Sequence, residues 1–317
     1  MKRTKHTTSV AGVDVSKRKL DVAVHGQSEL TLVANDVVGI DQLIAWLRDR
    51  CVGRVGMEAT GGYERELRLA LERAGFEVVV HQPIEIKLFA KLKRWKAKND
   101  RLDARLIAAA TAQVDAVRAA QDPRLVELAE RLTAYEQITQ QAAQLKNFLE
   151  PLRLPDLIRM TKAQIRSLEL LKAKLKADIV ARIKAEADLL ARFKLILSVP
   201  GFGEITAASL VIRMPELGAM ERGQAASLAG VAPFDRDSAQ FNGARFILGG
   251  RRRPRRMLYM AALAAKRHDP GFRTFANRLI ARGKKKKIAL VAVMRKLIEA
   301  ANLVLARGQP WVKSVAT

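Results

Sequence analysis

Apolar residues alternate with small or polar ones in three short stretches near the start of the chain. TSVAGVDVS, KLDVAVHG and ELTLVAND are β-branched, separated by polar or glycine-containing turns, and predict three strands between residues 8 and 34. The period then changes. VVGIDQLIAWLRDRC places Ile40, Leu43, Ile44 and Leu47 on one helical face. GRVGMEAT predicts a fourth strand, GGYERELRLALERAG a helix closed by Gly75, and FEVVVHQ a fifth strand. PIEIKLFAKLK begins a helix with Pro83 in its first turn, and KNDRLDARLIAAA predicts another. The order β-β-β-α-β-α-β-α-α describes a mixed α/β domain, here bounded at 1–118.

From about 119 to 195 glycine disappears, and Leu, Ala, Glu, Gln, Lys and Arg dominate. Pro151 and Pro155 divide this segment into two long helices, as in an antiparallel helical hairpin or coiled coil, or in a helical bundle. From 196 to 317 the pattern is again helical but broken by glycine-rich turns. LILSVPGFGEITAASLV (195–211) has the form of a helix-hairpin-helix. Its Gly201 and Gly203 either offer backbone N–H groups to a phosphate or simply make the turn between packed helices.

Composition changes the picture through charge. The 317 residues hold 57 Lys and Arg against 32 Asp and Glu, a net +25. A chain this basic meets a polyanion, with nucleic acid ahead of an anionic membrane surface. The basic positions that stand out are Lys93, Arg94, Lys96 and Lys98 in KLFAKLKRWKAK, the RRRPRR run at 251–256, and Lys284, Lys285, Lys286 and Lys287. The single cysteine, Cys51, allows no internal disulfide, which fits a reducing cytosol. No secretory signal is visible. The longest apolar stretch, 288–306, carries Arg295, Lys296 and Glu299, so no membrane span is expected.

Against this background the carboxylates stand out. Asp14 lies at the end of the first strand and Glu58 at the end of the fourth, each among apolar neighbours, where an unpaired carboxylate is costly. Asp100 and Asp103 open a helix. Asp100 reads as an N-cap, with Asp103 favoured by the helix N-terminus, but that account leaves Asp14 and Glu58 unexplained. Carboxylates three apart on a helix lie about 5–6 Å apart at Cβ. They repel by roughly 3 kcal/mol at an effective dielectric near 20. A divalent cation reverses that sign; Mg²⁺ takes a few carboxylates together with water and phosphate oxygen.

A second constellation lies in APFDRDSAQFNGARFILGGRRRPRRMLYMAAL (232–263). Arg236, Arg245, Arg251, Arg252 and Arg253 are suited to bidentate phosphate binding. Ser238 sits among them. A serine hydroxyl needs activation, and no His or Lys lies in this loop. Asp235 and Asp237 are near in sequence, but nothing fixes a base, so a loop hydroxyl or a phosphate contact stands beside a nucleophile.

Three strands with an Asp on the first, a later strand with a Glu, and a helix with Asp-x-x-Asp resemble the RNase H-like fold of RuvC-type nucleases. GVDVSK, EATGGYE and KNDRLDA, in this order, resemble the insertion-sequence-110 family, bridge-RNA-guided transposases with an Asp-Glu-Asp-Asp tetrad. The tetrad falls on Asp14, Glu58, Asp100 and Asp103. Arg236-Asp237-Ser238, Gly243-Ala244-Arg245, Gly249-Gly250-Arg251 and Leu258-Tyr259-Met260-Ala261 resemble the motifs of the family's C-terminal domain, and PFDRDS the subgroup of insertion sequence 1111. Ala239 stands where the family usually has glycine.

The resemblance implies an RNase H-like domain at 1–118, a helical hairpin or coiled coil at 119–195, and a mainly α transposase domain at 196–317. It implies a recombinase in which Ser238 attacks DNA while the tetrad holds Mg²⁺. The partners implied are donor and target DNA, a non-coding bridge RNA, and further copies of the chain, as a dimer and as a tetramer when the two DNAs are brought together. The expected location is the bacterial cytoplasm, at the nucleoid. A hydrolytic nuclease of the junction-resolvase kind, with the same tetrad and no role for Ser238, is the alternative, and a non-catalytic nucleic-acid-binding protein is a third reading.

Overall fold

In the computed structural model, the described residues are 9–95, 100–115, 122–221, 223–234, 237–238, 241–242 and 246–312; positions 100–102, 237–238 and 241–242 are described by backbone alone. Lys96, Lys98, Arg236, Ala239 and Arg245 lie outside them. The chain forms two compact units, Met1–Pro123 and Arg124–Thr317.

The first unit follows the hydrophobic pattern element by element. Strands β1 (Ser9–Val15), β2 (Lys19–Val24) and β3 (Leu30–Ala34) are followed by helix α1 (Val37–Asp49), β4 (Val52–Glu58), α2 (Arg65–Arg73), β5 (Glu77–His81), α3 (Pro83–Leu92) and α4 (Asp100–Thr111). The five strands make one sheet in the order β3-β2-β1-β4-β5. β1, β2 and β3 pair antiparallel, as short turns demand, whereas β4 and β5 join parallel to β1 through helical crossovers. This is the RNase H-like arrangement. Asp36 caps α1, its side chain accepting from the Gly39 N–H at 2.8 Å. The core under α1 and α2 holds Val13, Val22, Leu43, Leu47, Met57 and Leu67, all fully buried.

The other face of the sheet is covered by α4, which packs on β1, β2 and β4. Two glycines permit this. A Cβ on Gly12 of β1 would lie 2.2 Å from the Ala108 backbone nitrogen and 2.3 Å from the Ala104 carbonyl oxygen. A Cβ on Gly56 of β4 would lie 1.8 Å from the Thr111 hydroxyl. Gly12 and Gly56 are register partners, so the sheet has a side-chain-free trough into which the helix backbone settles.

The second unit is helical. α5 (Pro123–Leu149) begins at the last residue of the first unit, and α6 (Pro155–Ala185) follows the turn that contains Pro151. They run antiparallel, as ion pairs of Arg182 with Glu127 (3.2 Å), Arg131 with Asp178 (2.9 Å) and Lys146 with Glu169 (2.7 Å) require. The segment expected to stay hairpin as far as residue 195 divides earlier. Glu186 is extended (φ −104°, ψ 117°), ending α6 and starting α7 (Ala187–Leu197).

α8 (Glu204–Arg213), α9 (Gln224–Leu228), α10 (Arg252–His268), α11 (Pro270–Ala281) and α12 (Lys286–Arg307) complete the unit. Their core includes Phe193, Ile196, Leu210, Leu258, Val293 and Leu297, and the base of the hairpin enters it through Leu128, Leu132, Ile179 and Ile183. Four two-residue strands interrupt the helices where a loop was expected. β6 (Pro233–Phe234) pairs with β9 (Phe246–Ile247), and β7 (Asp237–Ser238) with β8 (Phe241–Asn242), both antiparallel. No helix among the described residues is long and apolar enough to cross a membrane.

Candidate active site

Register brings the strand carboxylates together. Gly12 pairs with Gly56, and both present their Cβ direction to α4. Asp14 and Glu58 lie two residues further along the same parallel strands, so strand alternation turns both toward the α4 face. Two neighbours agree with this direction. Glu58 is the register partner of His81, whose side chain reaches Thr111 of α4. Asp14 is the antiparallel partner of Asp21, a fifth carboxylate, mostly buried and 3.3 Å from the Lys19 ammonium. Asp103 is on α4, one residue before Ala104, which meets Gly12. Asp100 opens the helix one turn before Ala104.

The loops that follow these strands are tied down by residues that the sequence pattern did not single out. Asn35 Nδ2 donates to the Ser16 carbonyl at 2.8 Å and to the Tyr63 carbonyl at 3.3 Å, linking the turn after β1 to the loop after β4. Within the loop after β4, one Glu64 carboxylate oxygen accepts from the Thr60 N–H (3.1 Å), the Thr60 hydroxyl (3.2 Å) and the Gly62 N–H (2.9 Å). Gly61 and Gly62 supply the positive φ that this turn uses (75° and 116°). Burial raises the Glu64 pKa, but the backbone N–H groups of Glu64, Gly62 and Thr60 and the Thr60 hydroxyl outweigh it, and the net displacement is downward. The signal in the sequence was the Gly-Gly pair inside EATGGYE, which requires a turn and therefore something to satisfy its amides.

A donor set of four carboxylates offers oxygen alone, which suits a hard cation such as Mg²⁺ better than a softer transition metal. The sheet register and the approach of α4 set Asp14, Glu58 and Asp103 on one side of the sheet. Among the described residues, no three His, Cys, Asp or Glu side chains converge as a metal-holding group; the Asp100 side chain is not among those described.

In the second unit, Ser238 is a strand position of β7, opposite Phe241 of β8. Downstream of it, two arginines expected at phosphate pair with carboxylates of the protein, Arg251 half-buried and Arg253 exposed. Arg251 donates to both Glu216 oxygens (2.6 and 2.8 Å) and to the Arg213 carbonyl (2.6 Å). Arg253 donates to Glu136 (2.7 Å) and to the Thr133 hydroxyl (2.9 Å). Glu136 also takes Arg213 at 2.6 Å, with both side chains largely buried. Burial lowers the Arg213 pKa, with Glu136 pulling it back up. Through these contacts Arg251 and Arg253 link the start of α10 to the end of α8 and to α5. Arg252 is exposed.

Gly201, expected either at phosphate or in packing, lies close against α10. Its φ is 88°, and a Cβ would lie 2.6 Å from the Ala261 carbonyl of α10. Gly203 precedes α8 with open space beside it. Lys93 and Arg94 are exposed at the end of α3. Lys284, Lys285, Lys286 and Lys287 are exposed at the N-terminal end of α12, whose first turn holds no acid. Four ammonium groups at the positive end of a helix dipole repel it, a cost that a bound anion offsets.

Comparisons with known proteins cover both units. A transposase model of the DEDD type of IS110 matches residues 11–152, and another, Transposase IS116/IS110/IS902 family, matches residues 193–277. The pilin gene-inverting protein of Moraxella lacunata is 24% identical over 321 residues, 96% of this chain and 98% of that protein. The insertion element IS900 uncharacterized 42 kDa protein of Mycobacterium paratuberculosis is 36% identical over 110 residues, 32% of this chain and 27% of that protein. Among solved structures, Thermus thermophilus RuvC covers 32% of this chain and 91% of its own at 16% identity and a TM-score of 0.24.

Proposed function

This chain belongs to the IS110 family of transposases, and on that premise we propose that it exchanges DNA strands through a covalent phosphoserine at Ser238, assisted by Asp14, Glu58, Asp100 and Asp103. The family makes it a DNA-processing enzyme. The observation that carries the finer reading is the register Gly12–Gly56, which sets Asp14 and Glu58 on adjacent parallel strands, on the face covered by the helix that bears Asp103.

The Ser238 oxygen forms a bond to phosphorus as its proton passes to a base. The scissile P–O bond breaks, and the leaving strand oxygen takes up a proton. A strand hydroxyl from the other DNA then attacks the phosphoserine and releases Ser238, so the bond count is conserved without hydrolysis. The four carboxylates would hold Mg²⁺, which when bound supplies positive charge to phosphate oxygens as negative charge develops. Lys93, Arg94, Arg252 and the lysines at 284–287 hold the phosphate backbone. Base pairing with a bridge RNA selects the sites, and more than one protomer takes part because two DNAs are joined.

The test is to incubate protein, the RNA encoded beside its element, donor and target DNA and Mg²⁺, and to assay for protein covalently attached to DNA. Wild type gives adducts, Ser238→Ala none, and Asp100→Asn far fewer. Free cleavage products that persist in Ser238→Ala would establish a hydrolytic nuclease instead. Unchanged adducts in Asp100→Asn would remove the metal role.

A further inference from the structure

We propose that His81 is a positioning residue for the acidic site: it donates from Nε2 to the Thr111 hydroxyl and so fixes where α4, and with it Asp103, lies along the sheet. The inference rests on the carboxylate reading above and adds the residue pair that sets its geometry.

His81 ends β5 and is buried, and Thr111 ends α4 with no exposed surface. His81 Nε2 lies 2.9 Å from Thr111 Oγ1. The hydroxyl has one hydrogen, and it is directed at the Ile107 carbonyl, 2.7 Å away. Thr111 therefore accepts from His81, and the Nε2 nitrogen carries the proton. The other ring nitrogen is 3.8 Å from a Glu85 oxygen, beyond hydrogen-bond distance. Burial lowers the His81 pKa, with Glu85 opposing, so the neutral ring is favoured.

The bond runs from β5 to the helix residue that stands over Gly56 of the neighbouring strand β4, where any Cβ would meet the Thr111 hydroxyl. A sheet position without a side chain, a helix position with a hydroxyl and a neighbouring strand with an imidazole thus form one lock. The His81 end is tied to the acid: Glu58 is its register partner, and the Ala59 N–H donates to the His81 carbonyl at 3.0 Å. On the helix end, Asp103, Ile107 and Thr111 recur every four residues, which places them on one stripe of α4. Slippage of α4 by a single residue moves Asp103 by about 1.5 Å. A misplacement of about 1 Å is enough to cost about 100-fold in a reaction that depends on alignment. A buried His that only filled space would need neither the gap at Gly56 nor the acceptor on α4.

The test uses the full chain and Mn²⁺ as the probe ion, its binding followed by electron paramagnetic resonance of the free ion. Thr111→Val, which keeps shape and removes the acceptor, and His81→Phe should each weaken Mn²⁺ binding by about tenfold or more. His81→Gln, whose amide N–H reaches the same place, should restore binding close to wild type. Glu58→Gln and Asp103→Asn report on the carboxylate reading itself. Loss in these two with none in folded Thr111→Val and His81→Phe overturns the positioning role alone, whereas no loss in any variant overturns both. ¹⁵N NMR of wild type gives an answer that needs no variant to fold. It should show His81 as the Nε2–H tautomer, and an Nδ1–H tautomer would overturn the lock.

Discussion

The α4 face of the sheet and the arginine-rich stretch from 251 to 256 are both dense in one sign of charge, and the fold treats them oppositely. On the sheet, strand register gathers like charges: Asp14 faces Asp21 across one ladder, and Glu58 occupies the equivalent end of the neighbouring strand. A helix that carries a further carboxylate, Asp103, closes over them through the gaps at Gly12 and Gly56. In the arginine-rich stretch the charges are distributed to partners of opposite sign. Arg251 goes to Glu216, and Arg253 shares Glu136 with Arg213. Like charges brought close repel and are offset by partners of opposite sign, as Lys19 offsets Asp21, whereas pairs with good geometry hold elements in place. The difference is one of charge arrangement: Arg251 and Arg253 tie elements of the second unit together, even though RRRPRR is, along the chain, the more obvious signal for a ligand.

The largest effect is expected at the glycine trough. Gly12→Ala places a methyl against helix backbone that has no rotamer to yield, and should destabilise the first unit by about 3 kcal/mol or more, measured by chemical denaturation followed by circular dichroism. Near-wild-type stability would mean that α4 does not sit on β1 as described.

Next is the ion network. Glu136→Gln leaves the Arg213 guanidinium, 10% exposed, without its carboxylate. The loss should approach about 3 kcal/mol in the helical unit, read from the denaturant midpoint, with the double variant Arg213→Met/Glu136→Leu recovering part of it.

The arginine run then divides. Arg252→Ala should weaken DNA binding and lower the slope of log affinity against log salt by about 1, with the folding midpoint unchanged. Arg251→Ala should lower the midpoint instead, because it removes both contacts to Glu216. Equal effects of the two on binding would erase the distinction between ligand and architectural arginines.

The smallest effect concerns Glu64. Its folded pKa lies below the ordinary 4.5, so its contribution to stability is fully present above that value and is lost as pH falls through the lower folded one. Glu64→Gln should flatten the acid limb of the stability curve of the first unit, and an unchanged acid limb would show that the loop after β4 is held by other contacts.

Much of the first unit was legible because its signals are local. Alternation in SVAGVDV and KLDVAV, the helical spacing of Ile40, Leu43 and Leu47, and Asp36 before its helix are set within a few residues of one another. Asp14 and Glu58 were visible as acids in apolar strands. The roles of His81 and Thr111 were not. A single polar residue after VVV reads as the end of a strand, and nothing near it announces an acceptor 30 positions away. The short strands β6 to β9 were missed because two-residue pairings leave no periodicity to read.

The order and type of the long elements, the excess of positive charge, and which acids stand apart can be read along the chain, since periodicity and composition are properties of neighbouring residues. The partners of those charges emerge only on folding. Arg253 and Glu136 are 117 positions apart, and the gap at Gly56 has meaning only once Thr111 fills it. Such contacts are chosen by how elements pack, and packing brings together residues whose separation along the chain carries no signal.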